Sequence, residues 1–135
     1  MSHHVRRATF RVAMSEVDVA QIHFTAVHRW MDRGTSEWLA EVGYPFTRIL
    51  ETGPGIPIVE TRCSFLGRIM LDDVIDQTTE VGGIGRTSFR TRHEFTRAGE
   101  TMARGEIVHV CVNRATREPV PVPDWLRERA VPGEA

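Results

Sequence analysis

Residues 25–43 carry a helical stripe that no other part of the chain repeats. Val27, Met31, Gly34, Trp38 and Val42 fall three or four apart, and Trp30 and Leu39 widen the apolar face. Arg29, Asp32, Arg33, Ser36, Glu37 and Glu41 fill the opposite face. Thr25 reads as the N-cap and Gly43 as the residue just past the end, and Pro45 prevents continuation. About 18 residues at 1.5 Å each make a helix of roughly 27 Å. A glycine inside such a stripe costs about 1 kcal/mol relative to alanine, so Gly34 predicts close approach to another backbone, such as a sheet.

Apart from a short helix at 46–51, closed by Gly53-Pro54-Gly55, and a terminal one at 125–129, the rest of the chain reads as strand. Alternation or apolar runs mark 8–14, 59–65, 74–81, 86–96 and 102–113, with turns at Gly82-Gly83-Ile84-Gly85 and Ala98-Gly99-Glu100. One strand, one long helix and then four strands in succession indicate an α+β fold with an antiparallel sheet. Five strands and one long helix leave a single natural arrangement, in which the sheet curls around that helix. At 135 residues the chain is expected to form one domain over 1–135, with a frayed tail from about 130.

Composition removes several classes of function. A net charge of −1 gives no global field for nucleic acid or an anionic membrane. All 17 positive side chains are arginine, so phosphate recognition falls to guanidinium groups, backbone amides or helix ends. Cys63 and Cys111 sit in strand-like runs without CxxC spacing and read as reduced thiols, not a disulfide or zinc site. The histidines lack paired spacing, so no metal is expected. Neither an apolar leader core nor an apolar run of about 20 residues appears, and a cytoplasmic location is expected.

The segment Ser15-Glu16-Val17-Asp18-Val19-Ala20-Gln21-Ile22-His23-Phe24-Thr25, followed by Arg29-Trp30-Met31-Asp32, resembles the acyl-CoA thioesterases of the hotdog fold. That family includes 4-hydroxybenzoyl-CoA thioesterase and the Tol–Pal-associated thioesterase. The resemblance continues through Glu37-Trp38-Leu39, Gly43-Tyr44-Pro45, Ile58-Val59-Glu60, Leu71-Asp72-Asp73 and Arg86-Thr87-Ser88-Phe89, and ends in Val108-His109-Val110-Cys111-Val112 and Pro121-Val122-Pro123. It implies a hotdog domain: a five-stranded antiparallel sheet wrapped around one long central helix, assembled as a homodimer or a homotetramer. It also implies hydrolysis of an acyl-CoA, or acyl carrier protein, thioester without a cofactor beyond the coenzyme A of the substrate. Three departures stand out: Gln21 where the family usually has glycine, Thr25 where some members have histidine, and Gly67-Arg68-Ile69-Met70 where proline and arginine are usual.

By this resemblance Asp18 is the catalytic carboxylate, as nucleophile or as general base for water. An aspartate there equally serves as a turn cap or an arginine partner. The backbone N–H of Thr25, at the opening of the long helix, is the expected oxyanion donor. Gln21, His23, Phe24 and Ser88 are expected around the substrate, and Arg86 and Arg90, read with Arg92 as one strand face, at its phosphates. Asp18 and His23 are also spaced like the acid–base pair of hotdog (R)-specific enoyl-CoA hydratases, although the flanking glycine and Asn-Pro of that motif are missing. A non-catalytic acyl-CoA-binding protein on the same fold is the third alternative.

Overall fold

The computed structural model describes residues 3–132. Its main sheet is antiparallel throughout, in the order β1 (Arg6–Arg11), β5 (Val74–Gly82), β6 (Ser88–Arg97), β7 (Glu100–Val110), β4 (Ile58–Phe65). The crossover from β1 to β4 contains a two-residue hairpin, β2 (Val17–Asp18) and β3 (Gln21–Ile22), then α1 (Thr25–Glu41) and α2 (Phe46–Thr52). A short α3 (Asp124–Arg127) follows the sheet. The first strand ends before the expected 14, because the return bond to the Val12 carbonyl comes from Asp72 N–H, one residue out of the β1–β5 register, and Met14–Glu16 tightens into a 3-10 turn. The β6–β7 turn places Ala98 and Gly99 at φ 49° and 83°, a primed hairpin turn that suits the twist of the flanking strands.

The helix buries Ala26, Val27, Trp30, Met31, Gly34, Thr35, Trp38 and Leu39 against one face of the sheet. Alternation in β5 and β6 supplies the other wall: Ile75, Gln77, Thr79 and Val81 on one strand, Phe89, Thr91, His93 and Phe95 on the next. The N-terminal half of α1 packs with Phe95, Met102, Ala103 and Ile107. Its C-terminal half packs with Val81, Phe89, Cys111, Val122 and Leu126.

Between these apolar halves lies a polar cluster that explains the mid-helix glycine. A Cβ at Gly34 would stand 2.5 Å from Gln77 Nε2 and 2.6 Å from Thr79 Oγ1. The close neighbours are therefore sheet side chains, not the sheet backbone expected from sequence. Gln77 donates to the Trp30 carbonyl at 2.9 Å, and His93 Nδ1 meets Thr79 Oγ1 at 3.0 Å. Burial, then the proximity of His109 and Arg6, lowers the His93 pKa to about 3.

Beyond α3, Ala130 is buried and Val131 N–H bonds the Val81 carbonyl, so the chain is anchored past the expected start of fraying. The last part of that expected tail lies outside the described residues. At the other side of the sheet β4 is an edge strand, and Ile58, Val59, Phe65 and the following Leu66 are exposed. Among the described residues no helix is long and apolar enough to cross a membrane.

Candidate active site

The β2–β3 hairpin carries Asp18 to the opening of α1, and Glu16 holds it there. Trp30 Nε1–H donates to Glu16 Oε2 at 2.5 Å, Ala13 N–H to Glu16 Oε1 at 2.8 Å, and His23 N–H to the Glu16 carbonyl at 2.8 Å. One carboxylate thus ties the turn before Asp18 to the helix after it. Glu16 went unnoticed at the sequence level because its partner Trp30 read as a core residue only. On the far side, Ile22 N–H bonds the Ile69 carbonyl at 3.0 Å and Leu71 N–H the Ala20 carbonyl at 2.7 Å, fixing the hairpin to residues 69–71.

Asp18 pairs with Gln21 across this hairpin, and Val19 between them takes φ 61°, a left-handed conformation that a β-branched residue adopts only under strain of order 1–3 kcal/mol. The Asp18 side chain is 75% exposed, and its recorded charge partner is not an arginine but His23, with Nε2 3.9 Å from Oδ2. Thr25 fixes the ring on its other side: Oγ1 lies 2.7 Å from His23 Nδ1, and the Thr25 N–H donates to the same nitrogen at 3.3 Å. An amide N–H only donates, so Nδ1 accepts, and the neutral ring carries its proton on Nε2, facing Asp18.

This geometry shifts the expected helix start. Phe24, not Thr25, is the N-cap, it has helical φ and ψ of −56° and −28°, and no side chain caps the end. The Thr25 N–H turns to His23 and the Ala26 N–H to the His23 carbonyl, at 2.9 Å. The Phe24 N–H has no acceptor among the described residues. An uncapped helix start with an open amide favours negative charge. The Phe24 ring stacks on His23 with centroids 4.8 Å apart and is itself 63% exposed.

Below the hairpin lies an apolar slot of about 180 Å³, lined by Gln21, Ile22, Phe24, Phe65, Gly67 and Ile69. Of the second three, Phe65 was not foreseen, and Gly67 and Ile69 stood out in the sequence only as a departure from the family pattern; the register of β4 and the loop after it bring them to the first three. Asp18, Gln21, His23, Phe24 and Thr25 therefore come together. Ser88, Arg86 and Arg90 do not join them. Ser88 opens β6 opposite Val110 and next to Phe89, which packs at the Trp38 end of the helix. Arg86 precedes the strand, so it does not share a strand face with Arg90, and Arg90 is paired to Glu106 at 2.7 Å.

The two cysteines are free, and burial raises the Cys111 thiol pKa to about 11 and pushes Cys63 up as well. Among the described residues no group of three or more His, Cys, Asp or Glu side chains is arranged to hold a metal ion.

Three comparisons place the chain in a family. A 1,4-dihydroxy-2-naphthoyl-CoA hydrolase from Synechococcus sp. (strain RCC307) is 28% identical over 83% of this chain and 93% of its own. The 4-hydroxybenzoyl-CoA thioesterase of Pseudomonas sp. (strain CBS-3) is 33% identical over 64% of each chain. The solved structure of a gentisyl-coenzyme A thioesterase superposes with a TM-score of 0.81 at 25% identity, over 93% of this chain and all of that one. The family model of the thioesterase-like superfamily matches residues 12–130, so this chain belongs to that superfamily and is a thioesterase of the hotdog fold.

Proposed function

We propose that the protein hydrolyses the thioester of an acyl-CoA, with Asp18 as the reacting carboxylate. The observation that carries this reading is the placement of an exposed carboxylate, free of any recorded arginine pair, on the turn that leads into an uncapped helix start with an open amide. A carbonyl oxygen directed at that amide gains stabilisation as charge develops on it; one such donor contributes about 3 kcal/mol. The Phe24 N–H is the geometrically open donor. The Thr25 N–H, the donor implied by family position, becomes available only if His23 releases it.

Two chemistries fit. As nucleophile, an Asp18 oxygen bonds the carbonyl carbon, the C–S bond breaks, and coenzyme A departs as a thiolate that takes a proton from solvent. Water then opens the mixed anhydride and returns the carboxylate. As general base, Asp18 takes a proton from the water that attacks the same carbon. Single turnover in ¹⁸O-water tests the first route: label found in Asp18 establishes it, with water attacking the Asp18 carbon of the anhydride.

The central helix of the hotdog is α1, and one such domain spans the chain. The open β4 edge, with its exposed Ile58, Val59 and Phe65, is where a second copy completes the sheet as a homodimer, and two dimers give the homotetramer. Ser88, Arg86 and Arg90, remote from Asp18 within one subunit, serve the phosphates of coenzyme A only across such an interface. An acyl carrier protein presents the same thioester. The substrate's own coenzyme A is the sole cofactor required.

The 3.9 Å Asp18–His23 approach keeps a second reading in play, hydration of an enoyl-CoA by that pair. Thiol release from a panel of acyl-CoA thioesters, with crotonyl-CoA followed separately by loss of the enoyl absorbance, decides between them. Hydrolysis predicts free thiol from the panel and Asp18→Asn far more damaging than His23→Ala. Loss of enoyl absorbance without thiol, abolished equally by both variants, indicates the hydratase. Coenzyme A binding without turnover of any thioester indicates a non-catalytic binder.

A further inference from the structure

The opening of α1 presents two amides to a developing oxyanion, and one of them is taken. The Phe24 N–H has no acceptor among the described residues, whereas the Thr25 N–H is spent on His23 Nδ1 at 3.3 Å. We propose that His23 is a positioning residue that latches the Thr25 amide. The neutral ring withholds this N–H from the thioester oxygen, and the amide joins that of Phe24 only when the ring leaves or takes up a proton. The inference rests on the hydrolytic reading above.

The latch has the form of an Asx turn with an imidazole in place of the carboxamide. The side chain at position 23 accepts from the backbone N–H two residues on, the bond that asparagine and aspartate make in turns. Because Nδ1 carries no hydrogen in this state, the Thr25 hydroxyl, 2.7 Å away, donates to it as well. Two donors of one residue thus converge on a single lone pair. The amide arm is the longer of the two and yields first. The ring is otherwise loosely held: its side chain is 40% exposed, Phe24 stacks on it, and Asp18 Oδ2 stands 3.9 Å from Nε2.

Protonation undoes the latch without breaking the tie to the hydroxyl. A hydrogen on Nδ1 turns the Thr25 hydroxyl from donor to acceptor and sets the Thr25 N–H against another N–H, so the amide loses its partner. The proton comes from solvent, and imidazole is the side chain that gains one between about pH 8 and pH 5. Asp18, which faces Nε2, favours the added charge, and the helix N-terminus opposes it. The other carboxylate beside the ring's backbone, Glu16 on the preceding 3-10 turn, is held by Trp30 Nε1–H and Ala13 N–H.

The test uses His23→Asn, which closes the same turn but takes up no proton, and His23→Ala, which removes the acceptor. His23 belongs to neither apolar core cluster, so both changes leave the core packing in place. Thiol release from benzoyl-CoA and decanoyl-CoA gives kcat for the three proteins between about pH 8 and pH 5. The ¹⁵N–¹H signal of the Thr25 amide is followed over the same range without substrate. At the alkaline end His23→Ala is expected to exceed the wild type by about fivefold, the worth of one neutral hydrogen bond, and His23→Asn to match the wild type. As the pH falls, the ratio of His23→Ala to the wild type should approach one, while its ratio to His23→Asn stays constant. The Thr25 signal should move with the His23 ring signals in the wild type and stay still in His23→Asn. Ratios that are both independent of pH, a His23→Ala protein slower than the wild type at the alkaline end, or a Thr25 signal indifferent to the ring each overturn the latch and leave hydrolysis standing. Absence of thiol release from the whole acyl-CoA panel, in all three proteins, removes the hydrolytic reading and this role with it.

Discussion

Replacing Gly34 with alanine sets two physical effects against each other, and the structure decides the winner. In an exposed helix the change gains about 1 kcal/mol, the difference in intrinsic propensity. Here the new methyl group would stand 2.5 Å from Gln77 Nε2, 2.6 Å from Thr79 Oγ1 and 3.0 Å from His93 Nδ1. Those atoms are fully engaged: Gln77 holds the Trp30 carbonyl at 2.9 Å, and Thr79 holds His93 at 3.0 Å. Moving them breaks at least one buried hydrogen bond, at about 1–3 kcal/mol, and overpacking a filled core adds about 1–3 kcal/mol. The net expectation is a loss of about 1–5 kcal/mol, seen as a melting temperature lower by roughly 3–20 °C. Scanning calorimetry of Gly34→Ala beside a control, Glu37→Ala on the exposed face of the same helix, measures it. A Gly34→Ala protein that melts at or above the wild type would refute the packing argument, since propensity alone would then account for the result.

The same cluster governs behaviour in acid. The fold holds His93 neutral with a pKa of about 3 against 6.5 in the unfolded chain. Its contribution to stability is therefore complete above about pH 6.5 and is lost as pH falls toward 3, by up to about 1.4 kcal/mol per pH unit. Burial lowers His109 as well, so its effect has the same sign. His93→Gln is expected to flatten the fall of melting temperature between pH 6 and 4, and an unaltered slope contradicts this. Glu16→Ala leaves the buried Trp30 indole N–H without an acceptor and frees the hairpin, so about 1–3 kcal/mol of stability and at least about tenfold in kcat should go together. A loss of stability with kcat intact would limit Glu16 to folding. Of the two thiols, buried Cys111, raised to about 11, should resist a disulfide reagent in the native protein while half-buried Cys63 reacts faster; reaction of both at one rate contradicts that assignment.

Much of the fold was legible because periodicity is local. The stripe of Val27, Met31, Gly34 and Trp38 placed α1 within a residue or two, and the alternation of Phe89, Thr91, His93 and Phe95 gave the buried face of β6. The N-cap was misplaced because threonine is a good capping residue by type. In the structure its hydroxyl is taken by His23 and the cap passes to Phe24, which has no capping side chain. The hairpin residues Asp18 to Thr25 form a site together because they are neighbours in sequence. The far wall of the slot, Phe65 and Ile69, was not legible as such: nothing in that segment signals the hairpin, which the Ile22–Ile69 and Leu71–Ala20 hydrogen bonds bring against it. Ser88, Arg86 and Arg90 are not gathered with Asp18 within one subunit. Their chemistry suits phosphate, but the strand order carries them to the Trp38 end of the sheet, where Arg90 meets Glu106 instead.

The account stands on the carboxylate at position 18, and Asp18→Asn addresses it alone, since that exposed amide is nearly isosteric and disturbs no recorded ion pair except that with His23. Steady-state thiol release from the best acyl-CoA substrate should fall by about a thousandfold, the scale on which a positioned base or nucleophile contributes, while the melting temperature and the affinity for coenzyme A stay at wild-type values. If the variant instead turns over within tenfold of the wild type, Asp18 does not act on the thioester, and the chemistry must be sought elsewhere on this fold.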